Sequence, residues 1–211
     1  MSDEQSEQKG ATAALEAIVA QYEEKPGEKP EAELTLGLLF DHMRERAFGV
    51  LLLLLALPCC LPFVYLLPQI VALPMILICA QMALGRSAPW LPERLRKRVV
   101  PVASLADVVR RAKKYLGFFE RLAHQRMSFV TSEVGSRVVG ALLLIPTTSI
   151  LVPLPLTNTL PGIAVAIVSV GLIERDGLMV IGGLVLGLAW VAALVIGGQA
   201  AISAAVDLVR G

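Results

Sequence analysis

Three long stretches without a charged side chain dominate this chain. They lie between Arg46 and Arg86, between Arg137 and Glu174, and from Leu178 to Val206. Each exceeds the roughly 18–20 apolar residues that carry a helix across a bilayer. A soluble domain of 211 residues has one core to fill and no use for uncharged runs of this length. The net charge of +1 says little, because the charges are segregated between the runs. In lipid the backbone must satisfy its own hydrogen bonds, so apolar runs of this kind become helices. The expected fold class is therefore all-α and integral to a membrane.

The runs divide the chain. Residues 1–33 form a polar tail rich in Glu and Lys, with Pro26 and Pro30, of the composition that stays flexible. Residues 34–211 read as one membrane domain. Within it, 34–45 suits an amphipathic surface helix, 46–86 and 137–177 are two apolar blocks, 87–136 is a polar linker and 178–206 is a final membrane helix. No cleavable signal peptide is expected, since the first apolar run follows a long acidic tail.

The two blocks resemble one another. Arg46–Ala–Phe–Gly49–Val–Leu–Leu–Leu53 aligns with Arg137–Val–Val–Gly140–Ala–Leu–Leu–Leu144. Pro62 and Pro68 align with Pro155 and Pro161, and Leu67 with Leu160. The reading is an internal duplication, a recurrent way to build membrane transport folds with the site at the repeat interface. Proline removes a backbone donor and clashes with the preceding turn. Prolines six residues apart therefore predict two proline-broken helical hairpins. They either span fully, with the loop on the far side, or are re-entrant, with the loop inside the bilayer. Non-helical backbone at that depth must be buried in protein or line a wet cavity.

Candidate site residues follow from these loops. Pro62, Tyr65 and Pro68 mark the first. Pro155, Thr157, Asn158, Thr159 and Pro161 mark the second, and Tyr65 aligns with Asn158. The hydroxyl and amide groups either satisfy backbone freed by the prolines or form an uncharged pocket for a hydroxyl-rich or lipid-linked ligand or an ion. Gln81 and Glu174, near matching helix ends, are candidates to line an entrance, although Glu174–Arg175–Asp176 also reads as a charged interfacial turn.

The linker, counted from Arg86 to Arg137, carries twelve Lys or Arg against four Glu or Asp, which is +8. Short basic loops stay in the cytoplasm, which places both linker ends there and favours parallel hairpins. Leu105, Val108, Val109, Ala112, Leu116, Phe119 and Ala123 form a helical stripe, suited to the anionic inner leaflet or to packing on the membrane domain. Nucleic-acid binding is not expected. Ala189, Ala193, Gly197, Ala201 and Ala205 form a small-residue ladder, with Gly183 and Gly187 a second small pair, for close helix approach in lipid, first against the hairpins and second in a homodimer. His42 and His124 are isolated, Cys59, Cys60 and Cys79 sit in apolar sequence, and no catalytic constellation or nucleotide loop is present. The residues thus imply no cofactor, no metal and a non-enzymatic role. No span holds a carboxylate of the kind that proton pumps use.

Several stretches carry a resemblance to a known family: Arg46–Ala–Phe–Gly49, the loop to Pro68, Gln81 with Gly85–Arg86, Trp90–Leu91–Pro92, Pro153–Leu–Pro155 with Asn158 and Leu160–Pro161, and Gly171 through Leu178. From about residue 34 onward the chain resembles the exopolysaccharide synthesis ExoD-like membrane proteins of bacteria. The first loop departs from the family's frequent Pro-Gly, since Gln69 follows Pro68. The resemblance implies a multi-pass protein of the bacterial inner membrane linked to exopolysaccharide synthesis or export, with polysaccharide-synthesis proteins as partners. A small-solute or ion transporter or channel, and a scaffold for a synthase complex, are the alternatives.

Overall fold

The computed structural model describes residues 35–61, 66–99, 127, 129–152 and 157–210, with side chains as far as Gln199. Among these residues the regular structure is helical, apart from one isolated bridge between Thr35 and Val99. Helix α1 spans Leu36–Met43 and starts where the Thr35 hydroxyl accepts a hydrogen bond from the Leu38 N–H. It buries Leu39, Phe40 and Met43. It docks on the short α4 (Glu93–Arg96) through Leu36 N–H donating to the Arg98 carbonyl and an exposed Arg96–Asp41 ion pair.

The two apolar blocks each form a helix, an interruption and a second helix: α2 (Glu45–Cys59) and α3 (Leu67–Ala83), then α5 (Glu133–Ser149) and α6 (Thr159–Glu174). Both interruptions fall at the predicted proline loops. Pro68 and Pro161 sit in the first turns of α3 and α6, where a missing N–H leaves no intrahelical bond unmade. Pro58, Pro74 and Pro146, by contrast, lie inside helices. Hydroxyls around Pro146 bond to backbone carbonyls: Thr147 Oγ1 to Leu143 O at 2.6 Å and Ser149 Oγ to Pro146 O at 2.7 Å. Helix α5 begins at Glu133 rather than Arg137, because Ser132 caps it by accepting the Gly135 N–H. The predicted stripe Leu105–Ala123 and the tail lie outside the described residues.

Glycines set the packing. Helix α2 runs antiparallel to α6. A Cβ on Gly49 would stand 2.8 Å from the Ser169 carbonyl and 3.2 Å from the Ile173 nitrogen, and one on Gly162 would stand 2.7 Å from Cys59 Cβ. Helix α3 packs on α5 in the same manner, with Gly140 against Cys79, Met82 and Ala83. The first helix of each block therefore lies on the second helix of the other. Phe48, Leu52, Met75, Leu143, Val165 and Val168 fill the core between them.

Helix α7 (Gly177–Arg210) then returns along α6 and α5. Gly183 meets Ala164 and Val168, and Gly187 meets Ala164 and Pro146. This corrects the expectation for the small-residue ladder. Ala189, Ala193 and Gly197 are exposed, and nothing lies within 4 Å of a Cβ on Gly197. Gly197 lies on nearly the same face as Gly183, and it meets no neighbour because α7 runs on past the level of Thr157, where α6 begins. The outer surface is apolar as well: Leu54, Ile70, Leu73, Leu77, Val138 and Val185 are exposed. Patches of this extent mark a surface that meets lipid or another protein.

Two substitutions distinguish these glycines. Gly183→Leu should overpack α6 and cost ~1–3 kcal/mol, lowering the melting temperature in detergent. Gly197→Leu should leave the melting temperature of the monomer unchanged. Equal losses in both variants would contradict the packing described.

Candidate functional site

The bundle has two polar ends. At the first, the starts of α2, α5 and α7 meet the ends of α3 and α6. A small cleft there is lined by Glu45, Met82, Gly85, Arg86, Ser87, Glu133 and Ser136. Gly85 adopts φ +76°, a left-handed conformation that only glycine takes readily, and the Arg137 guanidinium lies directly against it. Arg46, aligned with Arg137, is buried at this same end, as are Glu174 and Asp176.

The turn after α6 is built on Arg175, at φ 56° and ψ 34°, a position where glycine is usual. The Arg175 N–H donates to the Gly171 carbonyl, as does that of Asp176 at 2.8 Å. Asp176 then caps α7, its Oδ1 accepting from the backbone N–H groups of Leu178 and Met179. Gln81 Oε1 accepts the Trp90 N–H, which ties the Pro89–Pro92 segment to α3. Gln81, Asp176 and the Arg175 turn thus have identifiable structural tasks.

Burial pushes the Glu45 carboxyl above its ordinary range. Arg175 pulls it back, the nearby Glu133 carboxylate pushes it up again, and Arg44 opposes both to a lesser degree. The cleft therefore holds two carboxylates, one of them hard to ionise, facing Arg86 and Arg175.

The second end holds the interruptions between helices. Pro62, Tyr65 and Pro155 lie outside the described residues. Pro68 and Pro161 are fully buried. Thr157, Asn158 and Thr159 are half-buried at the start of α6. Asn158 is the N-cap residue, yet its side chain makes no capping bond. The cause is local: Asn158 has a helical backbone, φ −82° and ψ −23°, where a capping residue is extended, and the third residue on, Pro161, has no N–H. The Asn158 Oδ1 is left buried with no hydrogen-bond partner. Gln69 Oε1, next to Pro68 in the first turn of α3, is in the same condition.

One helix of another block reaches this corner. The Trp190 indole N–H of α7 donates to the Thr157 carbonyl at 3.2 Å. The residues singled out from the sequence that the structure describes therefore fall at opposite ends of the bundle. Gln81, Glu174, Arg175 and Asp176 are separated from Pro68, Asn158 and Pro161 by the length of α6. Sequence reasoning missed Trp190, Glu45 and Glu133. A signal for Trp190 existed, since it is the only aromatic residue after Phe129.

The class defined is an all-helical protein in which, among the described residues, one helix, α7, is long and apolar enough to cross a membrane over Gly177–Gln199. The chain belongs to the ExoD family: the family model described as "Exopolysaccharide synthesis, ExoD" matches residues 15–196. It is similar to Protein ExoD of Rhizobium meliloti (strain 1021), 34% identical over 155 residues, which cover 71% of this chain and 64% of that protein. It is also 31% identical over 146 residues to an uncharacterized protein of Synechocystis sp. (strain ATCC 27184 / PCC 6803 / Kazusa), covering 67% and 68% of the two chains. The match thus spans less than two thirds of the rhizobial protein. No solved structure matches the chain.

The Glu45 environment predicts a pH effect. A carboxyl that is harder to ionise in the folded than in the unfolded state contributes stability below its ordinary pKa of 4.5, and that contribution is lost as pH rises through the folded value. Glu45→Gln should therefore melt higher than the parent protein at pH values above the carboxylate range. The difference should vanish on acidification to pH 4.5. A Glu45→Gln protein that melts lower than the parent under alkaline conditions would show that the Arg175 attraction outweighs burial.

Proposed function

We propose that this protein is a multi-pass component of exopolysaccharide synthesis or export in the bacterial inner membrane, in which two repeated, re-entrant hairpins present a ligand site at their tips. The observation that carries the reading is the unpartnered Asn158 Oδ1 at the tip of the second hairpin. A buried acceptor without a donor costs ~1–3 kcal/mol, and a donor from a ligand is what relieves it.

Depth supports the re-entrant form. Helices α2, α3, α5 and α6 contain 15, 17, 17 and 16 residues. At 1.5 Å per residue they are about 22–26 Å long, short of the ~30 Å hydrocarbon core. Helix α7 measures the same distance independently. Trp190, level with Thr157, lies about 20 Å of helix rise from Gly177. The apolar span runs on to Gln199, 23 residues and about 34 Å in all. The tips thus stop inside the depth that α7 crosses. The basic linker leaves and re-enters at the charged end, which fits a cytoplasmic location for that end. A scaffold is the second reading, favoured by the exposed run of α7 from Ala192 to Gln199, which touches little of the remaining chain.

Two measurements test this. In a variant with its native cysteines replaced, new cysteines at Ser87 and Ser128 should resist an impermeant maleimide in intact cells. A cysteine at Leu66 should be shielded from both faces, whereas one at Gly198 should label from outside. Labelling of Leu66 from outside would convert the re-entrant hairpins to full spans. For the site, Asn158→Ala should melt no lower than the parent, because it removes a buried acceptor that has no donor, and should fail to restore exopolysaccharide to a deletion strain. Full complementation by the folded variant would remove the case for a ligand at this tip.

A further inference from the structure

The segment that leaves α3 folds back on it. Arg86 carries the first charge after the apolar run. Trp90 then returns to the last turn of α3, where its backbone N–H donates to Oε1 of the buried Gln81. Trp90 itself is 52% exposed. The short α4 follows, and the backbone of α1 fixes it, through Leu36 N–H donating to the Arg98 carbonyl at 2.9 Å and the Thr35–Val99 bridge. Residues 90–99 thus form a ledge pinned to α3 at one end and to α1 at the other, with Trp90, Leu95 and Val99 left exposed along it.

Charge marks what the ledge faces. Residues 90–99 hold four cations against one carboxylate, Glu93. Two of the cations are matched: Arg96 by Asp41 of α1 at 2.6 Å, and Lys97 by Glu93 at 3.0 Å. Arg94 and Arg98 are exposed and form no ion pair with a described residue. The Arg98 N–H donates to the Leu95 carbonyl, so the turn of α4 continues to Arg98 and the two arginines stand one turn apart along the chain. A pair of guanidinium groups calls for an anion, and phosphate is one whose oxygens fit their planar N–H forks.

Position decides the source of the phosphate. With the bundle in a bilayer, the last turn of α3 lies where hydrocarbon gives way to headgroups, the level at which tryptophan is enriched in membrane proteins. Arginine stems run along apolar surface while their heads reach the polar layer, and each basic side chain near an anionic leaflet adds attraction. A soluble acidic partner needs the ledge to stand clear of the bilayer, whereas Gln81 and α1 hold it down against the bundle. We infer that the ledge binds the headgroup of an anionic phospholipid, with Arg94 and Arg98 on the phosphate and Trp90 at the boundary of the acyl chains. The inference rests on the bundle lying in a bilayer and is independent of any ligand at the proline tips.

The test uses the full chain in lipid nanodiscs. Trp190→Phe leaves Trp90 as the single tryptophan. Phosphatidylglycerol and phosphatidylcholine, each brominated high on the acyl chains, compete to quench its emission. A preference of about fivefold for phosphatidylglycerol is expected, equivalent to ~1 kcal/mol. Arg94→Gln combined with Arg98→Gln should remove the preference, and Arg94→Lys combined with Arg98→Lys, which keeps the charge, should retain most of it. Both side chains are exposed and the Leu36 bond to Arg98 runs through the backbone, so the substitutions leave the ledge in place. Inorganic phosphate added to the buffer should not reduce the preference.

Equal quenching by the two lipids, or a preference that survives the glutamine pair, overturns the assignment. Suppression by inorganic phosphate overturns it as well and gives the arginines to a soluble anion. A second reporter separates the ledge from the bundle. With both tryptophans replaced by phenylalanine, Leu77→Trp sets an indole on the exposed face of α3, where brominated chains should quench it. If that reporter is quenched and Trp90 is not, the ledge stands off the bilayer, the lipid assignment falls, and an acidic protein becomes the partner to seek. If neither is quenched, the bundle does not lie in the bilayer and the membrane reading falls with the lipid site.

Discussion

The structure depends on close approach of backbones between the two apolar blocks. Lipid offers no hydrophobic drive for one apolar helix to leave it for another, so association relies on van der Waals fit. Gly49 and Gly162 allow α2 to lie on α6, and Gly140 allows α5 to lie on α3. Each contact brings one helix to within 2.6–2.9 Å of where a Cβ of the other would stand. A side chain at any of these positions would part the blocks. The charged end would then lose the convergence that brings Glu45, Glu133 and Arg86 to one cleft.

From that pairing the rest follows in order. Antiparallel packing puts both helix starts and both helix ends on one side, so the charged residues flanking each apolar run collect there. The same packing puts both interruptions on the other side, where no charge is available. One end is therefore a charged and well-capped junction, held by Asp176, Gln81 and the Arg175 turn. The other is a neutral corner with two amide oxygens left without donors. This asymmetry directs functional attention to the proline end.

Proline has opposite effects at different depths of the same helices. Pro58, Pro74 and Pro146 are absorbed within helices, and near Pro146 the hydroxyls of Thr147 and Ser149 bond to backbone carbonyls. At the tip, Pro161 offers no N–H and Asn158 itself is helical, so its side chain caps nothing. The hydroxyl-rich segments Thr147–Ser149 and Thr157–Thr159 look alike as sequence. The first has structural tasks, whereas the second retains an open acceptor.

Much of the architecture was legible before any coordinates. Charge-free runs pointed to helices, because a backbone among apolar side chains has to satisfy its own hydrogen bonds, and the described residues are helical with one helix long and apolar enough to cross a membrane. Paired prolines determined where each block is interrupted, because a proline ring clashes with the turn before it. The start of α5 at Glu133 is marked by the Ser132 cap, which lies before the charge-free run that begins after Arg137. Only tertiary structure decided which glycines face a neighbour. A helix repeats every 3.6 residues, so Gly183 and Gly197 fall on nearly the same face; only the tertiary structure shows that α6 runs alongside the first and stops short of the second. The pairing of Trp190 with Thr157 was likewise beyond the sequence. The two are distant in the chain, and only the return of α7 along α6 brings the indole to the hairpin tip.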